Sequence, residues 1–141
     1  MHVKDYMQEI IIAVSPNDLL STARRIMNEL FIRHLPVVLE GKRLVGILTD
    51  RDLRQASPSS AMHLTEHERN RALDAMTVSD IMTRQVYTVS PNTTLLEAAT
   101  TFLEQKFDCL PVVDEEGALK GLITVLDFVR LYVEQHENVI V

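Results

Sequence analysis

The chain is written twice. Sliding it along itself by 75 positions lays residues 3–53 on residues 78–128 without a gap, and 19 of the 51 aligned pairs are identical. Val14-Ser15-Pro16-Asn17 meets Val89-Ser90-Pro91-Asn92, and Leu35-Pro36-Val37-Val38 meets Leu110-Pro111-Val112-Val113. Gly46, Thr49 and Asp52 meet Gly121, Thr124 and Asp127, and the lead-ins agree too, with Val3, Asp5 and Met7 over Val78, Asp80 and Met82. A long period that occurs only twice argues for one supersecondary unit packed against its own copy about a pseudo-two-fold axis, rather than for a solenoid. Such a pair offers two related clefts.

The 141 residues suit a chain that buries a real core, and 46 % of them are hydrophobic, which argues against disorder. Trp is absent and aromatics are few, so aliphatic side chains must fill the interior. The longest unbroken aliphatic run, Ile10 to Val14, is far short of a membrane span, and no signal-like segment opens the chain. The single cysteine, Cys109, has no internal disulfide partner and reads as a small packed residue. These features point to the cytoplasm, away from membranes. A net charge of −6 argues against nucleic acid as a partner. The charge is uneven. Residues 1–53 carry seven basic and seven acidic groups, residues 54–77 three of each, and residues 78–141 four basic and ten acidic. A phosphate-bearing ligand therefore has its better candidate site in the first copy.

Ile10 to Val14 and Val86 to Val89 read as short strands, each followed by a Ser-Pro-Asn turn with a helix-capping candidate. Leu20, Ala23, Met27 and Leu30 then follow at helical spacing, and Leu95, Ala98 and Phe102 repeat that stripe. Leu35 to Leu39 and Leu44 to Leu48 flank Glu40-Gly41-Lys42-Arg43, a hairpin signal repeated at Leu110 to Val113 and Leu119 to Ile123. Each copy closes with a helix starting near Asp50 or Leu126. The predicted class is α+β, with strand, helix, strand, strand, helix in each copy. The expected division is a first repeat over 1–55, a linker with a short helix over 56–77, and a second repeat over 78–141.

In the linker, Ala56-Ser57-Pro58-Ser59-Ser60 reads as loop, and Thr65 with Glu68 has capping-box spacing ahead of Ala72, Leu73 and Met76. His63 and His67 are four apart, but an N-cap at Thr65 would put them in different local structure, so no metal site is expected there. The last helix carries Phe128, Val129, Leu131, Tyr132 and Val133 on more than one face, as if a partner chain covers part of it. The chain ends on Asn138-Val139-Ile140-Val141, an apolar ending compatible with a longer protein.

The sharpest chemical pattern is Gly-x-x-Thr-x-x-Asp, present as Gly46, Thr49, Asp52 and again as Gly121, Thr124, Asp127. A strand delivers Thr to a helix start, and Asp follows about one turn later on the same side. A hydroxyl and free amides suit a phosphate or ribose oxygen, and a carboxylate accepts two hydrogen bonds from a vicinal diol. The same pair also reads as a helix cap with a favourable dipole charge. Recurrence does not separate these readings, because a duplicated scaffold duplicates its caps.

In their order, V-S-P-N, L-P-V-V and G-x-x-T-x-x-D resemble a pair of CBS domains, the cystathionine-β-synthase-type regulatory module, over nearly the whole chain. The run from Asp50-Arg51-Asp52 to Pro58-Ser59-Ser60, with its helical linker, is similar to bacterial acetoin-utilisation-type CBS proteins. The resemblance implies a disc-like pair, commonly a homodimer, with clefts between the repeats for adenosine-containing ligands. It implies that Thr49 with Asp52, and Thr124 with Asp127, hold ribose or phosphate. It also implies adenine slots near Ile12, Pro36 and Ile47, and near Val86, Pro111 and Leu122. The copies differ where phosphate would sit: Arg33-His34 against Asp108-Cys109, and Asp50-Arg51 against Val125-Leu126. The first cleft thus suits a phosphorylated nucleoside, with solvated surface charge as the competing reading of Arg33 and Arg51. The second suits a less charged adenosyl ligand or none, and Thr83 and Arg84 would lend it polar groups.

No nucleophile–base pair, P-loop or dinucleotide fingerprint is present, so an enzyme is not expected. The expected function is regulatory. An adenosine nucleotide such as AMP, ADP or ATP would act as ligand rather than as a required cofactor, and a regulated protein partner would read the change. The alternative is a ligand-free dimerisation scaffold.

Overall fold

The computed structural model describes residues 1–58 and 62–137. Part of the expected linker loop, Ser59-Ser60, and the ending Asn138-Val139-Ile140-Val141 lie outside the described residues. The chain forms two compact units. One is Ile12–Val86; the other joins Met1–Ile11 to Tyr87–Val141.

In the unit Ile12–Val86, helix α1 (Leu20–Leu30) leads to strands β1 (His34–Val38) and β2 (Leu44–Thr49), then to helices α2 (Asp50–Ala56), α3 (Glu66–Asp74) and α4 (Val78–Ile81). β1 and β2 pair antiparallel, with Leu35 opposite Leu48 and Pro36 opposite Ile47. Leu20, Ala23, Met27, Leu35, Val37, Leu48, Leu53, Leu73 and Val78 fill the core. The helical stripe is buried as expected except at Leu30, which is 48 % exposed. The helix ends there, capped by Phe31 in the left-handed region at φ 54°, whose N–H bonds to Met27 O.

The second unit repeats the plan with α5 (Leu95–Gln105), β3 (Cys109–Val113), β4 (Leu119–Thr124) and α6 (Val125–His136). Its core holds Val3, Val89, Leu95, Ala98, Phe102, Leu110, Val112 and Ile123. Phe128 closes on Phe102 edge-to-face at 5.6 Å between ring centres. Leu131 packs beside it, while Leu126, Val129, Tyr132 and Val133 of α6 are exposed.

The expected leading strands shrink to single bridges. Only Val14 pairs, in parallel with Val37, and only Val89 pairs, in parallel with Val112. Residues 10–13 have no ladder partner among the described residues, because there the chain leaves one unit for the other. The helix starts also differ. Ser15-Pro16-Asn17 and Ser90-Pro91-Asn92 form turns, and α1 and α5 begin three residues later, capped by Leu19 and by Thr94. Thr94 makes a full capping box with Glu97, whereas Leu19 offers no side-chain acceptor. Thr65 caps α3 as predicted, with Glu68 N donating to its Oγ1 at 3.1 Å. That places His63, at φ 51°, ahead of the helix and His67 inside it.

The lead-ins are exchanged. The 3-10 turn Val3–Asp5 belongs to the unit of the second repeat, and α4 to the unit of the first. Val3 N donates to Thr93 O at 2.8 Å and Lys4 N to Pro91 O at 2.9 Å. In the other unit Val78 N donates to Asp18 O at 2.8 Å and Ser79 N to Pro16 O at 2.9 Å. Each Ser-Pro-Asn turn therefore receives the lead-in of the opposite copy. Val3 and Val78, both with no exposed surface, plug the two cores.

Candidate functional site

A third chain segment lies along the outer edge of each hairpin. Thr83 pairs with Ile47 through Thr83 N to Ile47 O at 2.9 Å and Ile47 N to Thr83 O at 3.0 Å. Gln8 pairs with Leu122 in the same way, at 2.8 and 3.0 Å. The motif glycine makes this possible. A Cβ at Gly46 would stand 2.7 Å from Met82 Sδ and 2.9 Å from Thr83 O; one at Gly121 would stand 2.6 Å from Met7 Sδ and 2.9 Å from Gln8 O. The Gly of Gly-x-x-Thr-x-x-Asp is thus a clearance residue that lets a methionine and its backbone dock on the strand.

Thr and Asp of the motif form reciprocal capping boxes in both copies. Thr49 N donates to Asp52 Oδ2 at 3.0 Å and Asp52 N donates to Thr49 Oγ1 at 3.1 Å. Thr124 N donates to Asp127 Oδ2 at 2.8 Å, and Asp127 N donates to Thr124 Oγ1 at 3.3 Å. The capping reading of these residues is therefore realised, and any ligand must use the acceptor capacity that remains. That capacity differs. Asp52 has no further partner among the described residues. Asp127 also receives the Thr124 hydroxyl at 3.1 Å, the Gln8 carboxamide at 3.1 and 3.3 Å, and Arg130 at 3.3 Å.

Arg33 and Arg51 are exposed beside the first motif. The backbone of Arg33 is tied to the site, since Asp50 N donates to its carbonyl at 3.0 Å. His34 stands opposite Thr49 across the hairpin. Asp50 faces Arg54 in an ion pair of 3.0 Å, so its charge is already matched. Arg33 and Asp50 line a depression of about 550 Å³ between α1 and α2, together with Arg24, Phe31, Leu53 and Arg54. Thr49 and Asp52 do not line it, so the structure does not gather the expected phosphate and ribose residues into that one hollow. Of the expected adenine-slot residues, Pro36 and Pro111 are fully buried, Ile47 and Leu122 nearly so, and Ile12 is 40 % exposed. Val86 is assigned to the unit Ile12–Val86, and Pro111, Leu122, Thr124 and Asp127 to the other.

In the second unit Cys109 occupies the position of His34, opposite Thr124. Burial, aided by the charges of Asp108 and Asp127, pushes its thiol from 9.0 up to about 12. It is a packed neutral group, as its sequence context suggested. Gln8 and Arg130 were not singled out by the sequence reading. The signal for Gln8 was its alignment with Thr83, a position already marked as a polar contributor in the other copy.

The profile of the CBS domain matches residues 3–59 and again residues 78–134. The chain belongs to the CBS-domain family. Among solved structures, AcuB from Vibrio cholerae, named for acetoin utilization, is 32 % identical with a TM-score of 0.81, covering 97 % of this chain and 93 % of that one. CBSX2 from Arabidopsis thaliana, solved in complex with AMP, is 29 % identical with a TM-score of 0.79, covering 95 % and 97 %. The CBS domain pair of protein MJ0100, solved with 5′-methylthioadenosine and S-adenosyl-L-methionine, is 28 % identical with a TM-score of 0.77, covering 96 % and 98 %. Inosine-5′-monophosphate dehydrogenase of Korarchaeum cryptofilum is 40 % identical over 126 residues, which are 89 % of this chain but 23 % of the dehydrogenase. The chain thus spans under a quarter of such curated relatives. No helix among the described residues is long and apolar enough to cross a membrane.

Proposed function

We propose that this CBS pair is a regulatory module whose first repeat binds an adenosine nucleotide of the AMP, ADP or ATP type. The observation that carries the reading is that two CBS pairs matching it from end to end were solved with AMP and with adenosyl compounds. Within the site, Asp52 keeps an acceptor oxygen for a ribose hydroxyl, Arg33 and Arg51 supply positive charge for phosphate, and Ile12 offers apolar surface to the base. The role is sensing rather than catalysis. The ligand's differential affinity for two conformations sets how far the equilibrium moves, and a homodimer or a regulated protein partner in the cytoplasm reads the change.

Calorimetry and thermal melting with AMP, ADP, ATP, NAD and S-adenosylmethionine test this. At a hundredfold excess over Kd, a ligand should raise the melting temperature by on the order of 10 °C. Asp52→Ala should weaken binding by about 2 kcal/mol, the scale of a charged hydrogen bond. One observation favours a second reading: both Thr–Asp pairs already satisfy each other as caps. Flat calorimetry across all five compounds would favour that ligand-free scaffold instead.

A further inference from the structure

We infer that Gln8 is an internal competitor for the diol-accepting carboxylate of the second repeat, so that the unmodified chain holds one nucleoside, at the first repeat. The inference rests on the proposed adenosine-binding function and deepens it by assigning what separates the two sites.

A carboxylate offers about four lone-pair positions. At Asp127 they are spoken for. Oδ2 accepts from Thr124 N at 2.8 Å, from the Thr124 hydroxyl at 3.1 Å and from Gln8 Nε2 at 3.3 Å. Oδ1 accepts from Gln8 Nε2 at 3.1 Å and from Arg130 Nη1 at 3.3 Å. The Asp127 side chain is left 8 % exposed. Gln8 Nε2 is the one donor among these that reaches both oxygens, as the two hydroxyls of a ribose diol would.

The placement of Gln8 costs little, because its backbone is already fixed. Gln8 N and O both bond to Leu122, and Met7 is seated over Gly121. Only side-chain rotamers remain to be ordered. A ligand arriving at Asp127 must therefore displace a tethered donor rather than water. The first repeat lacks this device. Thr83 occupies the position of Gln8, pairs with Ile47 through its backbone, and sends no side-chain hydrogen bond to Asp52. Gln55 stands where Arg130 does. The two aspartates share a backbone setting and differ in what the neighbouring segment lays upon them.

Titration calorimetry of the full chain with adenosine and with AMP tests the inference, using wild type, Gln8→Thr and Thr83→Gln. Wild type should bind one equivalent, lost in Asp52→Ala. Gln8→Thr should bind a second equivalent at least tenfold more tightly than wild type does, the low end of releasing a charged hydrogen bond. Asp127→Asn on that background should remove it, with melting temperature confirming the fold. Thr83→Gln should weaken the first equivalent. The inference is overturned if Gln8→Thr stays at one equivalent, or if wild type already binds two and Gln8→Thr loses one, since Gln8 would then be a ligand contact. If wild type binds nothing but Gln8→Thr binds one Asp127-dependent equivalent, the inference stands and the reading of the first repeat falls. If neither binds, both fall.

Discussion

Met82 lies over Gly46 so closely that a Cβ on Gly46 would stand 2.7 Å from its Sδ. The sulfur can swing aside, but Thr83 O, 2.9 Å from the same point, is backbone and is hydrogen-bonded to Ile47. Gly46→Ala should therefore destabilise the chain by about 1–3 kcal/mol through overpacking. It should also displace Thr83 from the hairpin edge. Chemical denaturation gives the first quantity, and amide exchange at Ile47 and Thr83 the second. Unchanged protection at Thr83 would show that the glycine is not a clearance residue.

Val3 and Val78 carry the lead-in exchange. Each is wholly buried in a core built mostly from the other copy. Val3→Ala and Val78→Ala should each cost about 2 kcal/mol, for the lost methyl groups and the cavity left behind. Urea midpoints with unchanged slope would measure this. A loss below about 0.5 kcal/mol at either position would mean that the lead-in rests on the surface.

Arg33 and Arg51 should read phosphate and nothing else. Replacing both with Ala is expected to weaken AMP about tenfold or more while leaving adenosine within about twofold. Equal losses for the two ligands would show that these side chains shape the fold of the site. Loss of neither would leave them as solvated surface charge.

The Cys109 thiol should be silent in the native protein. With its folded value raised to about 12 from 9.0, it stays neutral through the ordinary working range. The sign of the linkage follows. The buried neutral thiol contributes its full stability below pH 9.0 and loses it progressively as pH climbs from there toward about 12, because only the unfolded thiol ionises in that window. A thiol-specific chromogenic reagent at pH 8 should react only after denaturation. Reaction at a native rate near that of free cysteine would contradict the burial.

Much of this was legible in the sequence because it is local. The stripe Leu95, Ala98, Phe102, the hairpin around Glu40-Gly41-Lys42-Arg43 and the cap at Thr65 each follow from residues a few positions apart, and all three stand in the structure. The non-local features were hidden. Val3-Lys4-Asp5 looks like the start of the first copy, yet its hydrogen-bond acceptors are Thr93 and Pro91. Ile10 to Val14 has strand composition, but composition cannot supply a ladder partner where the chain passes between units. Asp50, expected at the site, also pairs with Arg54 at 3.0 Å. Gln8 is marked in the sequence only by its alignment with Thr83; its bond to Asp127, 119 residues away, appears only in the fold.

The exchanged lead-ins also fix where this chain can be divided. A fragment cut at the repeat boundary near residue 77 would keep Val3 without the core it plugs and forfeit Val78, which its own core needs. A fragment spanning Ile12–Val86 would retain every segment of one core in a single piece. The stretch that was duplicated and the stretch that forms one compact unit are offset by roughly one lead-in, so neither copy of the repeat holds all the segments of one core.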